Sequence, residues 1–102
     1  MLKELYGTSM IKYENKEEII EYYLLNSEGH YENINNDNIN NNTKNKIKMY
    51  GIEIVKKSNM KEESSFISDL TVNKSFAEEI IKTIKDNVVT PIHLYDVLEN
   101  FL

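Results

Sequence analysis

The chain has 102 residues, with 12 lysines, no arginine and 17 acidic residues, which give a net charge of -5. This length fits one domain, so we expect residues 1–102 to form a single domain. The absence of cysteine excludes a disulfide framework, a thiolate metal site and a thiol nucleophile. No apolar run approaches the roughly 20 residues that span a bilayer, and the N-terminus lacks the apolar segment of a signal peptide. We therefore expect a cytoplasmic protein without a membrane partner.

The lysines are interleaved with glutamates, as in Lys16-Glu17-Glu18, which is typical of a solvated surface. A nucleic-acid binder normally carries a basic stripe, and arginine is its usual reader of phosphates and base edges. The seven tyrosines could stack on bases, but packing at half-buried positions accounts for them better in an acidic chain. We expect no nucleic-acid partner.

Two strands are predicted in the first third of the chain. Residues Glu18 to Leu25 are rich in isoleucine, tyrosine and leucine on both faces, as in a central strand. An asparagine three positions before Glu18 also fits a helix cap, and the β-branched and aromatic content favours the strand. Leu5 to Tyr13 is predicted to form a weaker strand interrupted by Gly7, and Ser27-Glu28-Gly29 predicts a turn.

Residues 33–45 form an asparagine-rich segment. Eight of its thirteen positions are asparagine, and only Ile34 and Ile39 are apolar. Such a segment cannot bury enough surface to offset the entropy lost on ordering, which predicts a flexible loop at about 33–45. Asp37 among the asparagines faintly suggests a calcium loop, but the central glycine and the closing glutamate of that motif are missing.

Two further strands are predicted after this segment. Ile47 to Lys56 alternates clearly, and Gly51 in its middle indicates a bulge or a close backbone approach. A turn is expected over 58–63. Ser64 to Leu70 then fits an edge strand, with Phe66 and Leu70 expected on the same side.

The last thirty residues change to a helical period. Asn73 and the pattern Ser75 to Glu78 both signal a helix start. Apolar residues recur every four positions along one stripe: Phe76, Ile80, Ile84 and Val88. The helix should stop near Asn87, because the residue before a proline is driven out of the helical region.

Thr90 and Pro91 predict the cap and first position of a second helix. Together the segments predict an α+β fold: a small antiparallel sheet of three to four strands followed by two C-terminal helices packed on one face.

Catalytic motifs are missing from the sequence. It contains neither a phosphate-binding loop, nor HExxH, nor GxSxG, and it has only three glycines. His93, Asp96 and Glu99 could lie along one helix face as metal ligands, although a polar helix face is the simpler interpretation. We expect no enzyme activity, no metal and no cofactor.

Three segments resemble a known family of roughly hundred-residue proteins from low-GC Gram-positive bacteria. They are the strand Tyr50-Gly51-Ile52-Glu53-Ile54, the residues Tyr22 to Leu25, and the ending Val89 to Leu102, which reads VTPIHLYDVLENFL. The family is a domain of unknown function. The resemblance covers Glu18 to Leu102 apart from the asparagine-rich segment, and it transfers no functional residue.

The sequence favours a non-enzymatic module that binds another protein or regulates it. The second helix is apolar over more than half its circumference, which suggests an interaction surface of Leu94, Val97, Leu98 and Phe101. A protein partner is therefore expected, and a homodimer is the commonest way to cover such a surface. The alternative is a small-molecule or metal-binding domain with a pocket between sheet and helices, formed by Tyr50, His93, Tyr95 and Asp96.

Overall fold

The computed structural model describes residues 1–31, 45–59 and 61–101. One antiparallel sheet holds four strands in chain order: β1 (Leu2–Tyr13), β2 (Lys16–Tyr31), β3 (Asn45–Ser58) and β4 (Lys61–Thr71). They are followed by helix α1 (Lys74–Asp86), a 3₁₀ turn (Pro91–His93) and the short helix α2 (Leu94–Leu98). The predicted α+β fold class is confirmed, with four strands and with both helices packed against the sheet.

The core lies between the helices and one face of the sheet. Side chains along a strand alternate between the two faces, and every second residue of β2 and β3 therefore points to the helices. This core contains the buried residues Ile20, Tyr22, Leu24, Tyr50, Ile52, Ile54, Ala77, Ile80, Ile81, Ile84, Val89, Leu94 and Leu98. The Tyr22 hydroxyl donates a buried hydrogen bond of 3.0 Å to the Val89 carbonyl. That bond ties the central strand to the segment between the two helices.

Helix α1 begins as its sequence predicts. The Asn73 side chain accepts a hydrogen bond of 3.1 Å from the backbone N–H of Phe76, so Asn73 is the cap. Ser75 lies inside the first turn of the helix and takes no part in capping. The apolar stripe faces the sheet, and Ala77, Ile80 and Ile84 on it are buried.

The end of α1 forms a Schellman turn. The backbone N–H of Val89 donates to the Ile84 carbonyl, and that of Val88 donates to the Lys85 carbonyl, each at 3.0 Å. Val88 has a φ of 51°, a left-handed conformation that is strained for a β-branched residue. The prediction that Val88 continues the buried stripe is wrong. The helix has already ended there, so Val88 is exposed and Val89 is buried instead.

The second helical segment begins at the predicted proline, but its first turn is 3₁₀ rather than α. Thr90 precedes it in an extended conformation and makes no capping hydrogen bond with its side chain. Leu94 and Leu98 of α2 are buried against the sheet, whereas Ile92 points into solvent.

Two predicted turns are wrong because strand pairing overrides local turn signals. Ser27 to Gly29 belong to β2, which continues to Tyr31 since β3 offers it a partner along this length. The segment 58–63 is mostly strand, and only residues 59 and 60 separate β3 from β4. Of the predicted loop 33–45, Asn45 begins β3, and the other residues lie outside the described part of the chain.

Gly51 lies opposite a bulge in β4, as predicted. The register of β3 with β4 shifts between Tyr50 and Ile52. A side chain at position 51 would collide with the backbone of Ile67 and Ser68, so the close backbone approach requires glycine here.

The strand β4 places Phe66 and Leu70 on opposite faces, and the prediction that they share a side is wrong. Ile67 pairs with Ile52 on the core side, so its neighbour Phe66 points away from the helices. The bulge puts two extra residues of β4 between Ile67 and Thr71, and within this irregular segment Leu70 packs against the core.

Candidate functional site

The face of the sheet opposite the helices has no second layer within the described residues, and we call it the open face. The register assigns its central positions to Lys3, Leu5, Thr8, Met10, Ile19, Glu21, Tyr23, Leu25, Glu53, Val55, Lys57, Ser64 and Phe66. An antiparallel sheet with one solvated face usually carries polar residues there. Here the apolar side chains outnumber the charged ones.

Two apolar side chains of the open face are almost fully buried. Leu25 and Val55 are only 4% and 5% exposed, yet neither belongs to the core beneath the helices. Their neighbours on the same face therefore cover them.

The open face also carries four large apolar side chains that are 40% to 56% exposed: Leu5, Met10, Ile19 and Phe66. Exposed apolar residues that are scattered singly are normal, but a contiguous group on one flat face is typical of an interaction surface.

The charges of the open face are paired with one another. The Lys3 Nζ lies 2.9 Å from Glu53 Oε1 and 4.3 Å from the centre of the Tyr23 ring. The Lys57 Nζ lies 3.0 Å from Glu21 Oε1, which also accepts a hydrogen bond of 2.9 Å from the Tyr23 hydroxyl. The two ion pairs thus meet at Tyr23 and leave the face locally neutral.

These contacts shift the pKa values of the groups involved. The hydrogen bond from Lys57 lowers the pKa of Glu21, and the same bond raises the pKa of Lys57. The hydrogen bond to Glu53 raises the pKa of Lys3. Burial, followed by the bond to Glu21, raises the pKa of Tyr23. All four groups therefore keep their usual protonation states at neutral pH, and none is placed to exchange a proton there.

The residues predicted to form one pocket lie in different places. Tyr50 lines a depression of about 290 Å³ together with Leu24 and Lys74. Tyr95 lines a shallow cleft along β4, where its hydroxyl donates a hydrogen bond of 2.8 Å to the Phe66 carbonyl. His93 and Asp96 are both exposed, with 3.7 Å between Nδ1 and Oδ2. The structure does not bring the four residues together.

The predicted interaction surface of α2 is largely used inside the protein. Leu94 and Leu98 are buried in the core, and Val97 and Phe101 are half-buried against it. Leu94 and Leu98 therefore have no free surface to offer a partner. The sheet therefore buries more of α2 than we expected when we predicted that its apolar residues form an exposed surface.

Within the described residues, no group of three His, Asp or Glu side chains is close enough to hold a metal ion. An ionic cluster on the helix side of the sheet is internally satisfied. Buried Glu18 accepts a hydrogen bond from the Tyr13 hydroxyl and lies 3.5 Å from Lys56, which also pairs with Glu63 at 3.4 Å. Because each charge has a partner, we assign this cluster to stability.

The sequence patterns did not predict the open face as a site. Its signal lies in the doubled pairs Ile19-Ile20, Tyr22-Tyr23 and Leu24-Leu25, which put apolar residues on both faces of β2. Such pairs are typical of a central strand. They also indicate that two layers are needed, because each of the two apolar faces requires its own cover.

The fold and its site define a two-layer α+β protein with helices on one face and an open, partly apolar sheet on the other. The chain belongs to the family of unknown function DUF6514, whose model matches residues 1–102. This confirms the predicted membership in a family of unknown function, and the match extends over the entire chain. Comparison with curated proteins and with solved structures gives no match. No helix among the described residues is long and apolar enough to cross a membrane.

Proposed function

We propose that the protein is a non-enzymatic interaction module and that its open face packs against the open face of a second copy. One observation carries this proposal: apolar side chains from all four strands share the open face, and four of them, Leu5, Met10, Ile19 and Phe66, are half-exposed there. A sheet with helices on one face needs a partner layer when its other face is also apolar.

The size of the open face supports a dimer. Strands spaced about 4.8 Å apart, each about eleven residues long at about 3.3 Å per residue, give a four-stranded face on the order of 700 Å². A stable interface buries about 800 Å² per partner. The open face is thus about as large as one side of a standard interface.

The charges of the open face favour a second copy over a strongly charged partner. Lys3 pairs with Glu53 and Lys57 pairs with Glu21 inside each protomer. A polyanion or an anionic membrane would have to compete with these glutamates for the lysines. A second copy brings charges that are already neutralised, so stacking two faces leaves no charge without its partner.

Sedimentation velocity tests this proposal with a matched pair of variants. Ile19→Glu puts a charge on the open face, next to Lys57 on the neighbouring strand, so that the new carboxylate has a partner within its own sheet. Ile92→Glu puts the same charge on the helical side, at a side chain that is 78% exposed. We expect a dimer for the wild type and for Ile92→Glu, and a monomer for Ile19→Glu.

Met10→Glu on β1 provides a second open-face variant, in case Ile19→Glu fails to fold by circular dichroism. A wild-type monomer at about 1 mM would exclude any association stronger than about 4 kcal/mol and overturn the proposal. A dimer that survives both open-face variants and dissociates in Ile92→Glu would place the interface on the helices instead.

A second candidate function is the binding of a small apolar acid in the depression beside Tyr50. Its lining includes Leu2, Leu24 and Tyr50 beside the Lys74 ammonium and the Glu4 carboxylate, and Lys74 suits the carboxylate of a ligand with an apolar body. Titration with octanoate, followed by the NMR signals of Leu24 and Tyr50, tests it. Saturable shifts that Lys74→Gln weakens would favour this candidate, and unchanged spectra would exclude it.

A further inference from the structure

Strand β4 is an edge of the sheet, and no strand of the described residues pairs with the outer side of its middle part. In an antiparallel strand, the backbone groups of successive residues point alternately to the two sides. The Ile67 carbonyl points to β3, since it is the group that a side chain at Gly51 would strike. Ser64 and Phe66 therefore direct their backbone N–H and C=O groups to the outer side, where no strand of the described chain pairs with them.

The structure itself shows that this outer side accepts a hydrogen-bond donor. The Tyr95 hydroxyl of α2 donates to the Phe66 carbonyl at 2.8 Å. Tyr95 also forms the wall of a cleft of about 490 Å³ whose floor is the strand from Ser64 to Ser68. Three of the five floor residues are serines, and their small side chains leave room beside the backbone.

Proteins usually protect such edges with charges and bulges. On β4 the charged residues and the bulge lie at the two ends of the strand. Lys61, Glu62 and Glu63 occupy its start, and the bulge with Asp69 at a φ of 42° occupies its end. The segment between them, from Ser64 to Ile67, carries neither.

We propose that the β4 edge is a peptide-binding site, which takes an extended segment of another protein as a fifth strand that displaces the Tyr95 hydroxyl from the Phe66 carbonyl. Backbone hydrogen bonds to Ser64 and Phe66 provide the affinity, as in other cases of strand addition. This site uses the backbone edge of β4, whereas the proposed dimer uses the side chains of the open face, among them that of Phe66.

A lone peptide strand fits the β4 edge better than a second copy of the protein does. The 3₁₀ turn packs against β4, and Tyr95 of the adjoining helix reaches its edge. A second copy that paired through its own β4 would bring the same helical segment to the same place. The shared edge would then have to accommodate two helical segments, whereas a single peptide strand brings none.

Proline at position 64 provides a selective test. The Ser64 N–H points outward, so Ser64→Pro removes a donor from the free edge without breaking a bond to β3. Ser64→Ala is the matched control, because it removes the hydroxyl and keeps the backbone N–H. The probe is a phage-displayed library of random twelve-residue peptides, selected on the wild-type protein, with the strongest binder synthesised and titrated.

We expect Ser64→Pro to weaken the binding of this peptide by about tenfold or more, and Ser64→Ala to change it by less than about twofold. In the NMR spectrum, the amide signals of Ser64 and Phe66 should shift on titration, and Ile19→Glu should bind the peptide as the wild type does. If no peptide is selected, or if the selected peptide binds Ser64→Pro normally, the proposal is wrong. Association of the protein with itself that Ser64→Pro abolishes would show instead that a second copy occupies the edge.

Discussion

The substitution Gly51→Ala tests the close approach of β3 to β4. A Cβ atom at position 51 would lie 2.8 Å from the Ser68 Cα and 3.1 Å from the Ile67 carbonyl carbon, and closer still to the carbonyl oxygen. Carbon atoms normally approach to about 3.5 to 4.0 Å. The neighbouring atoms are backbone and cannot rotate away, so β4 must shift at its bulge.

The expected cost of Gly51→Ala follows from two contributions. Overpacking of this kind costs about 1 to 3 kcal/mol, and weakening one backbone hydrogen bond of the ladder adds about 1 kcal/mol. We therefore expect a loss of about 2 to 4 kcal/mol in the free energy of unfolding. In a domain of this size, that loss lowers Tm by roughly 10 to 25 °C. Urea denaturation and calorimetry measure the two quantities.

Gly7→Ala is the matched control for Gly51→Ala. A Cβ atom at Gly7 would meet the Lys85 side chain, with 2.5 Å to Cε and 2.7 Å to Cδ. The end of a lysine side chain can swing into solvent, and Gly7 has no positive φ that alanine would resist. We expect Gly7→Ala to change stability by no more than about 0.5 kcal/mol. Equal losses of stability in the two variants would refute this explanation. They would show that the cost comes from replacing a glycine within a strand and not from the contact with the β4 backbone.

Three further predictions concern strain, burial and charge. Val88→Gly should raise the free energy of unfolding by about 1 kcal/mol, because glycine relieves the left-handed strain at the end of α1; a loss in urea denaturation would contradict this. Leu98→Ala should cost about 2 to 5 kcal/mol and Ile92→Ala less than about 0.5 kcal/mol, since Leu98 is buried and Ile92 is exposed. The lowered pKa of Glu21 means that its pairing with Lys57 stabilises the fold above pH 4.5, the ordinary value for this carboxyl, and is lost as the pH falls through the folded-state pKa. Glu21→Gln should therefore lose less stability than the wild type on acidification, and identical pH profiles would show that this carboxyl contributes nothing.

The elements that the sequence predicted best are those with local causes. Asn73 and Pro91 each mark a helix start through their own chemistry, and both helical segments begin beside them. Gly51 likewise predicted a close backbone approach, because a glycine inside a strongly alternating strand weakens the strand unless another backbone lies against it.

The predictions that failed depend on partners distant in sequence. Ser27 to Gly29 carry turn residues, yet the pairing of Gly29 with Ile47 holds them in β2. Phe66 and Leu70 are four residues apart, and only the bulge opposite Gly51 decides that they face different sides. Two extra residues of β4 lie in this bulge and break the alternation of side chains there, and the sequence of β4 alone does not show where the bulge lies.

The burial of the predicted interaction surface on α2 also depends on partners distant in sequence. The apolar circumference of α2 suggested an exposed surface at Leu94 and Leu98, but how much of a helix a sheet can cover depends on where the helix lies. Once the sheet takes these leucines, the excess of apolar surface has to lie elsewhere. Its location on the open face becomes evident only from the pairing register, which puts Leu5, Ile19 and Phe66 on the same face of three different strands.

The open face and the free β4 edge both follow from the order of elements along the chain. Four strands come first and pair in sequence, so the helices can follow only from the end of β4. Helix α1 has 13 residues and is about 20 Å long, and α2 adds five residues. Helices of this size cover one face of the sheet, while β2 and β3 supply apolar side chains to both faces. Because the helices leave part of this apolar surface uncovered, we propose a second copy of the chain as the missing layer.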